Sequence, residues 1–343
     1  MITVSNIFSA TVSDPFSFAV SSFLSPPSNQ PSDAITLTSY EGEYELDSCT
    51  VYPSGLSPAV LSNFTIVPLS TMTVNSLTTL RFNIFPTMAL SRNDYINITI
   101  PTGTSFSYSN IFGTGFYKTP PTFSGQSVLI YHNTSSSLTY PQNALYSITF
   151  QNIQAPPSTL PTSSLILQVL RSGYPIMQGS SVLTATRATL TASVTLASSI
   201  VWATTSYTFT ININNPLSSS GMISIAFPIT VTPPSSTTCA AVLGTNFRSQ
   251  PSCSFDSASN SILLTSLNAS SSTLPAQTGI KLTVSGVLNP PDILTTAAFT
   301  ITTYYTSSVQ GLVEVGTISG VTSNPGTIAI GTISIIPSSF IAM

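Results

Sequence analysis

Charged side chains make up only 5% of this 343-residue chain, and its seven Lys and Arg residues stand singly. The chain therefore has no basic face for phosphates, and the counterion release that drives nucleic-acid binding is absent. An intrinsically disordered chain combines low hydrophobicity with high net charge, whereas this one is 42% apolar with a net charge of -3. We expect a folded protein with no nucleic-acid partner.

Groups that carry out catalysis are also scarce. His132 is the only histidine, it stands in a Ser-rich stretch, and no Gly-x-Ser-x-Gly turn is present to hold a nucleophile beside it. The count of His and Cys is too low for a metal site built on them. A carboxylate pair for glycoside hydrolysis remains a remote alternative, since the candidate carboxylates have no supporting pattern and we expect them in turns or at edges: Asp94, Asp256, Asp292 and Glu314. We predict that the chain is not an enzyme and needs no cofactor.

Long uncharged runs occur, but Ser, Thr, Asn and Pro interrupt them every few residues, so no membrane span is predicted. Residues 1–20 lack a basic start and carry Asp14 and Pro15 where a signal peptide has its apolar core, so no signal peptide is predicted there.

Apolar residues alternate with hydroxylated ones throughout the chain, as in Ile96-Asn-Ile98-Thr-Ile100 and Phe299-Thr-Ile301. A period of two rich in Thr, Ile, Val, Tyr and Phe is typical of half-buried β-strands. Turn clusters such as Asn214–Gly221 separate the runs, and Lys and Glu are too rare to cover helix surfaces. The pattern predicts an all-β fold of immunoglobulin-like sandwiches, with a jelly roll as the alternative.

The chain repeats itself. Leu80–Pro101 aligns without a gap on Tyr207–Pro228, and Ile148–Ile153 with its following Pro-Pro aligns on Leu282–Val287 with its own Pro-Pro. Repeats at a fixed long period indicate a tandem array. We predict one sandwich over residues 71–198 and a second over residues 199–343.

An extra half-repeat stands at the N-terminus. Ile2–Ile7 resembles Ile148–Ile153, and Phe16–Val20 aligns with Leu165–Val169, while the C-terminal tail resembles the stretch between the two repeats. Such strands would carry apolar faces and open backbone groups, which pairing with another chain would cover. We predict that residues 1–70 pair between subunits, with candidate assembly residues at both ends of the chain: Ile2, Val4, Ile7, Phe16, Phe18, Ile328 and Ile330.

The run Thr204–Pro216, followed by Gly221–Pro228, a Cys pair and Gly286–Pro291, resembles the tandem repeats of secreted surface proteins of ciliates and other protists. It is also similar to glycosylated fibril proteins from fresh water that are built of immunoglobulin-like domains. The resemblance is best over residues 199–310 and implies an extracellular structural glycoprotein that assembles head to tail. It implies no catalytic residues.

Cysteines and sequons bear on the same setting. Cys239 and Cys253 lie within one repeat and would close a loop worth about 3 kcal/mol in an oxidising compartment; two inert thiols are the alternative. Cys49 has no partner in the chain and is either a buried thiol or an intermolecular link. Four sequons are candidate sites for attached glycans: Asn63, Asn97, Asn133 and Asn268. Asn97 should point away from the core because it alternates with isoleucines.

Two further features have more than one interpretation. Glu41, Glu43, Glu45 and Asp47 alternate along what we interpret as one strand; they are either a solvated edge that discourages unwanted pairing or a Ca²⁺ site. Trp202 is expected in the core, with a sugar-stacking platform as the alternative.

These observations favour a structural subunit of an extracellular glycosylated filament, in which copies join head to tail by β-strand complementation. The alternative is a cell-surface adhesin or binding ectodomain, in which the half-repeat is only the edge of a longer array.

Overall fold

The computed structural model describes residues 19, 29–30, 33–52, 56–61, 63–91, 93–106, 111–113, 121–131, 141–235, 239–242, 246–269, 273–306 and 310–326. These residues form strands and turns and contain no helix. The fold is all-β and consists of two immunoglobulin-like sandwiches preceded by a separate hairpin, as the period of two predicted.

The first sandwich, called sandwich 1, packs a six-stranded sheet on a five-stranded one. Its larger sheet has the order β3-β13-β12-β6-β10-β9, and its smaller sheet has the order β4-β5-β11-β7 with β8 also pairing β11. The strands are β3 (Ala59–Val60), β4 (Thr65–Pro68), β5 (Leu77–Ile84), β6 (Tyr95–Thr99), β7 (Ser105–Phe106), β8 (Ile111–Gly113), β9 (Thr122–Ser124), β10 (Ser127–Tyr131), β11 (Tyr146–Gln154), β12 (Leu165–Arg171) and β13 (Tyr174–Ser181).

The second sandwich, sandwich 2, repeats this order, with β18 in the place of β8 and an isolated bridge between Thr232 and Leu288 in the place of β7. Its sheets run β14-β23-β22-β17-β20-β19 and β15-β16-β21-β18. The strands are β14 (Ala188–Thr189), β15 (Thr191–Leu196), β16 (Thr204–Ile213), β17 (Met222–Ala226), β18 (Cys239–Val242), β19 (Ser252–Asp256), β20 (Ser261–Thr265), β21 (Gln277–Leu288), β22 (Phe299–Tyr304) and β23 (Leu312–Ile318). The predicted alignment of Leu80–Pro101 with Tyr207–Pro228 is confirmed, because it superimposes β5 and β6 on β16 and β17.

The alternating pattern places one face of each strand in the core. Every second residue of β16 is buried, from Thr205 through Ile213, and the same holds for β5. In sandwich 2 the buried aromatic rings of Tyr207, Phe209 and Phe299 lie 5.8 to 6.4 Å apart, within the range of favourable ring contacts. Burial of these faces is the main source of stability.

The repeated motif in β11 and β21 marks a β-bulge. Asn152 and Gly286 occupy the same position in the two motifs and both have positive φ, 56° and 81°. The pairing register with β5 and β16 shifts at this point. Asn and Gly are the residues that accept this backbone conformation most readily, which explains their place in the motif.

A separate hairpin precedes sandwich 1, formed by β1 (Ile35–Glu41) and β2 (Tyr44–Val51). It repeats the last hairpin of each sandwich, β12–β13 and β22–β23, and we call all three terminal hairpins. Each has a register shift after the fifth residue of its first strand, at Ser39, Val169 and Thr303. The alignment of Phe16–Val20 with β12 is therefore wrong, because β1 holds that position.

The hairpin also corrects the interpretation of the acidic run. Glu41 ends β1, Gly42 turns the chain with φ of 64°, and Glu45 lies in β2 opposite Tyr40. The four carboxylates therefore surround a turn and do not line one face of a single strand. Glycine supplies this turn because other residues are strained at positive φ.

Both predicted domain boundaries are too late along the chain. β3 and β4, before residue 71, pair with β13 and β5 of sandwich 1. β14 and β15, before residue 199, pair with β23 and β16 of sandwich 2. Sandwich 1 thus spans residues 59–181 and sandwich 2 residues 188–318. The predicted assembly residues Ile2, Val4, Ile7, Phe16, Phe18, Ile328 and Ile330, together with His132 and Asn133, lie outside the described residues.

Candidate interface between sandwich units

The segment that connects the two sandwiches, residues 182–187, is fastened to sandwich 1. Thr162 N donates to the Leu183 carbonyl at 3.0 Å, and Leu183 N donates back to Thr162 Oγ1 at 3.1 Å. Thr186 N donates to the Met72 carbonyl at 2.8 Å, and Val74 N donates to the Thr186 carbonyl at 2.9 Å. Hydrogen-bonded linkers with buried apolar residues are stiff, and Leu183 is buried here.

The segment that leaves sandwich 2 is fastened in the same way. Thr296 N donates to the Val321 carbonyl at 2.9 Å, and Val321 N donates to Thr296 Oγ1 at 3.0 Å. Asn324 N donates to the Ser199 carbonyl, and Val201 N donates to the Asn324 carbonyl at 3.0 Å. Each of these bonds is the counterpart of one in the connecting segment, so the chain leaves both sandwiches along the same path.

The two sandwiches touch through a loop and a turn. Thr159 N, in the loop that follows β11, donates to the Leu312 carbonyl at the start of β23 at 2.9 Å. Leu160 packs beside Gly311, where an added Cβ would lie 2.9 Å from Leu160 Cδ1 and 3.3 Å from Ser158 Oγ. Gly311 has a φ of 71° and leaves room for the neighbouring loop.

The same contact recurs in front of sandwich 1. Asn29 N donates to the Pro175 carbonyl at the start of β13 at 3.3 Å. Pro26-Pro-Ser28 before Asn29 matches Pro156-Pro-Ser158 before Thr159, and Pro175 holds the position of Leu312 in its terminal hairpin. The chain therefore shows one type of junction twice, between successive repeat units.

At the far end of sandwich 2 the corresponding loop is bare. Ile229 is 92% exposed, Leu294 is 69%, Trp202 is 63% and Ile293 is 55%. Ile229 and Leu294 line one shallow depression together with Asp292. These five residues define the distal pole. An exposed cluster of large apolar residues of this kind marks an interaction surface.

The expectation that Trp202 lies in the core is wrong. Trp202 has a φ of 57° and its N–H donates to the Pro290 carbonyl at 3.2 Å. Asn75 holds the same turn in sandwich 1, with φ of 54° and a 3.1 Å bond to the Pro156 carbonyl. The turn fixes the backbone and leaves the indole in solvent. A bulky residue at positive φ costs about 1 kcal/mol or more, and such strain concentrates at functional sites.

The candidate catalytic carboxylates lie in separate places. Asp94 is 2% exposed and accepts hydrogen bonds from Arg171 Nε at 2.8 Å and Arg171 Nη2 at 2.7 Å, a bidentate pair between a loop and β12. The Asp94 hydrogen bond, with the nearby charge, raises the pKa of Arg171 despite partial burial. This pair closes one end of sandwich 1, so its role is structural.

Glu314 is fully buried in β23, which corrects the expectation of a turn or edge. Its Oε1 accepts from Asn214 N at 3.0 Å and Asn215 Nδ2 at 2.8 Å, while Oε2 has no partner among the described residues. Burial raises the pKa of the Glu314 carboxyl, and the bonds from the two asparagines only partly offset it. A single buried carboxylate of this kind, tied to a turn, holds Asn214 and Asn215 in place.

Of the other two candidate carboxylates, Asp292 is exposed and Asp256 is half-buried. Asp256 Oδ1 accepts from Ala258 N at 3.1 Å, and Asp292 Oδ1 accepts from Leu294 N at 3.0 Å, so both stabilise turns. Within the part of the chain that the structure describes, no three His, Cys, Asp or Glu residues are grouped to hold a metal ion. This applies also to the acidic run from Glu41 to Asp47, which lies within the described residues.

The cysteines are placed as follows. Cys239 in β18 and Cys253 in β19 form a disulfide between the two sheets of sandwich 2, with Cα atoms 6.1 Å apart, within the normal range. Cys49 is exposed, so the expectation of a buried thiol is wrong. It faces Leu37 across the hairpin, where the other terminal hairpins have Gly179 and Gly316.

Of the predicted sequons, Asn63 is exposed. Asn97 lies between the buried Ile96 and Ile98 on the outer face, as expected, but it is half-buried beside Gln168 with its Nδ2 3.5 Å from Gln168 Oε1. Asn268, another candidate glycan site, is only 5% exposed. A glycan on folded Asn268 would have to displace its neighbours, so Asn63 is the better acceptor.

The fold and the junctions define the class of protein: a tandem array of immunoglobulin-like sandwich units. No described helix is long and apolar enough to cross a membrane. No protein-family model and no curated protein matches the chain.

Solved structures give only distant similarity. The C-terminal domain of the Streptococcus pyogenes antigen I/II-family protein AspA is 10% identical over 76% of this chain and 99% of its own, with a TM-score of 0.29. The Streptococcus agalactiae BspA C-terminal domain is 8% identical over 75% of this chain and 99% of its own, with a TM-score of 0.28. A Corynebacterium diphtheriae protein described as membrane anchored is 10% identical over 84% of this chain and 98% of its own, with a TM-score of 0.24. Superpositions this weak transfer no residue role to this chain.

Proposed function

We propose that the chain is a structural subunit of an extracellular glycosylated filament, in which immunoglobulin-like units stack end to end and copies join head to tail. The observation that carries this proposal is the repeated junction. The contact between Thr159 and Leu312 has its counterpart between Asn29 and Pro175, and the linker bonds after sandwich 1 have theirs after sandwich 2. A contact that recurs from unit to unit builds a rod of regular geometry.

Stiffness of the rod follows from the linker. Residues 182–187 make backbone hydrogen bonds to two different parts of sandwich 1, the turn at Val74 and the loop at Thr162, and Ala185 and Leu183 are buried. A free linker would allow the sandwiches to reorient, whereas this one leaves few bonds about which they can turn. Rigid spacing is what a structural filament requires of its units.

The extracellular setting is supported by the disulfide of Cys239 and Cys253, because disulfides persist in oxidising compartments. The exposed sequon Asn63 is a suitable glycan acceptor. A surface with so few charges gains solubility from hydroxyl groups and from attached glycans.

Head-to-tail growth is supported by the difference between the two ends. One end carries a terminal hairpin and the other carries the distal pole, so the contact between copies is heterologous and does not close on itself. Strand donation by residues 1–18 or 327–343 is a second route. The described residues show the stacking junction twice, between Asn29 and Pro175 and between Thr159 and Leu312. We therefore propose stacking of units as the main contact.

The test is electron microscopy of the secreted full-length chain in negative stain, together with small-angle X-ray scattering. We expect straight filaments, and an extended monomer at low concentration. An insertion of Gly-Ser-Gly after Thr184, in the linker, should bend the monomer and remove straight filaments. The matched control is the same insertion after Ser257, in the exposed turn between β19 and β20.

Two results would contradict the proposal. One is a wild-type chain that stays monomeric at every concentration reached. The other is a linker insertion that leaves both the scattering profile and the filaments as they were.

A further inference from the structure

Two surfaces of the chain are more exposed than their counterparts at the junctions, since Leu294 is 69% exposed against 38% for Leu160, and Tyr44 is 80% exposed against 37% for Tyr174. The first is the distal pole of sandwich 2. The second is the turn end of the terminal hairpin β1–β2, where Tyr44 is 80% exposed. In each of the two observed junctions, the loop that corresponds to the distal pole meets the turn of a terminal hairpin.

The distal pole matches the loops of the observed junctions residue by residue. Ile293 holds the position of Thr159 and Leu294 that of Leu160, because both follow the Pro-Pro pair after the bulged strand. Thr159 N is the donor at the junction with Leu312. Ile293 N, by contrast, has no acceptor among the described residues.

The hairpin turn matches the receiving side equally closely. Glu45 lies opposite Tyr40 just as Pro175 lies opposite Leu170 and Leu312 opposite Tyr304. The carbonyls of Pro175 and Leu312 are the acceptors at the two observed junctions. Tyr44 precedes Glu45 as Gly311 precedes Leu312. Tyr174 at the same position of the first junction shows that a tyrosine can be accommodated there.

We propose that the distal pole of one chain binds the β1–β2 turn of a second copy, with Ile293 N–H donating to the Glu45 carbonyl and Leu294 packing beside Tyr44. This inference rests on the proposed function and specifies the contact through which that function is carried out. The contact is a third instance of the junction that the chain already makes twice.

The composition of the pole fits such a contact. Trp202, Ile229 and Leu294 present large apolar side chains on a backbone held by hydrogen bonds, so little entropy is lost when they are covered. Tryptophan in particular is enriched among the residues that carry most of the binding energy at interfaces. The exposed Tyr44 supplies a ring on the other side.

The charges make a distinguishing prediction. Asp292 lies beside Leu294 on the pole, and Glu43 and Glu45 lie at the turn, so carboxylates of like sign approach in the contact. Exposed charges are screened as salt rises, with a Debye length of about 10 Å at about 0.1 M. Association should therefore strengthen with added salt.

A second copy is the occupant because the two bare surfaces belong to the same chain. The chain carries both halves of one junction at opposite ends, so every copy can receive one neighbour and offer itself to another. A further repeat of a longer polypeptide would use the same chemistry but would leave separate copies of this chain unassociated, and the test distinguishes the two.

Site-directed cross-linking tests the register. All variants carry Cys49→Ser, so that each has a single added thiol besides the Cys239–Cys253 disulfide. A full-length chain with Leu294→Cys is mixed with one carrying Tyr44→Cys under mild oxidation. We expect a disulfide-linked heterodimer in this mixture. In the control mixture, the Tyr44→Cys chain is combined with a chain that carries Leu145→Cys, another exposed leucine, and we expect no cross-link. Equal yields in the two mixtures, or none in either, would overturn the proposal.

Sedimentation velocity tests the energetics. Ile229→Asp with Leu294→Asp should weaken association about tenfold or more, as loss of a central apolar cluster does, while Leu145→Asp should leave it unchanged. Asp292→Asn should strengthen association at low salt and reduce its salt dependence. Asp256→Asn is its matched control, because Asp256 caps a similar turn away from the pole. Unchanged association in the pole variants would overturn the proposal.

Failure of the inference and failure of the proposed function are distinguishable. One result is that the pole variants form filaments with undiminished affinity and the Leu294–Tyr44 cross-link is absent. That result would exclude this contact and leave the proposed filament standing. A chain that does not associate at all would exclude both.

Discussion

Replacing Gly311 by alanine should destabilise the junction more than an equivalent glycine elsewhere. Two costs are expected. The backbone φ of 71° disfavours any residue with a Cβ, by about 1 to 2 kcal/mol. The new methyl group would also lie 2.9 Å from Leu160 Cδ1 and 3.3 Å from Ser158 Oγ, so the loop of sandwich 1 must move.

Gly279 separates these two costs. It has the same φ of 71°, but an added Cβ there would meet nothing within 4 Å. Gly279→Ala therefore reports backbone strain alone. Overpacking typically costs about 1 to 3 kcal/mol, and because the end of the Leu160 side chain can rotate, we expect the lower end of that range. Gly311→Ala should thus lose about 1 kcal/mol more than Gly279→Ala.

The assay is urea unfolding of the full chain, combined with hydrogen exchange of the loop that carries Thr159. Leu160→Ala should remove the excess cost of Gly311→Ala, and the double-mutant cycle should show a coupling of about 1 kcal/mol. Scattering should show a more bent molecule for Gly311→Ala only. Losses that agree within about 0.5 kcal/mol for the two glycine variants, with no coupling to Leu160, would refute the junction argument.

Three further variants test the groups that stabilise each sandwich. Arg171→Met should cost about 3 to 5 kcal/mol in chemical unfolding, because it leaves the buried Asp94 carboxylate unpaired, and adding Asp94→Asn should restore most of the loss; no restoration would exclude the ion pair as the cause. Burial raises the pKa of Glu314 in the folded chain, so its contribution to stability is fully present below the unfolded pKa and is lost as pH rises through the folded pKa; Glu314→Gln should reduce the fall in stability as pH rises above about 4.3, the ordinary pKa of Glu, and an unchanged slope would contradict this. Cys239→Ser with Cys253→Ser should lose about 3 kcal/mol, and reduction of the wild-type chain should lose a similar amount; unchanged stability would show that the bridge adds little.

Local patterns predicted the strands and their repetition well. Isoleucines that alternate with polar residues on β6 could only be buried on one face of a strand, and the structure buries Ile96 and Ile98 completely. The motif that contains Asn152 and Gly286 was recognised as a repeat, although the bulge it forms was not predicted. Such signals lie within a few residues of one another.

Features that depend on distant parts of the chain were not predictable. Asp94 meets Arg171 across 77 positions, and neither residue carries a local sign of the pair. Trp202 was expected in the core because it lies where the two repeats join, but a turn directs it outward. The junctions are made by backbone groups, which leave no side-chain pattern beyond the Pro-Pro-Ser sequences before Asn29 and Thr159.

The first strand of each sandwich pairs in parallel with the last. β3 pairs with β13 and β14 with β23, and parallel bridges join Thr73 to Thr186 and Ile200 to Asn324. When the chain is pulled at its two ends, these terminal strands slide past each other, so their hydrogen bonds are loaded in shear together and do not open one by one. Forced unfolding depends on the barrier to that concerted step. Each unit therefore carries its own clamp against tension, independent of its neighbours.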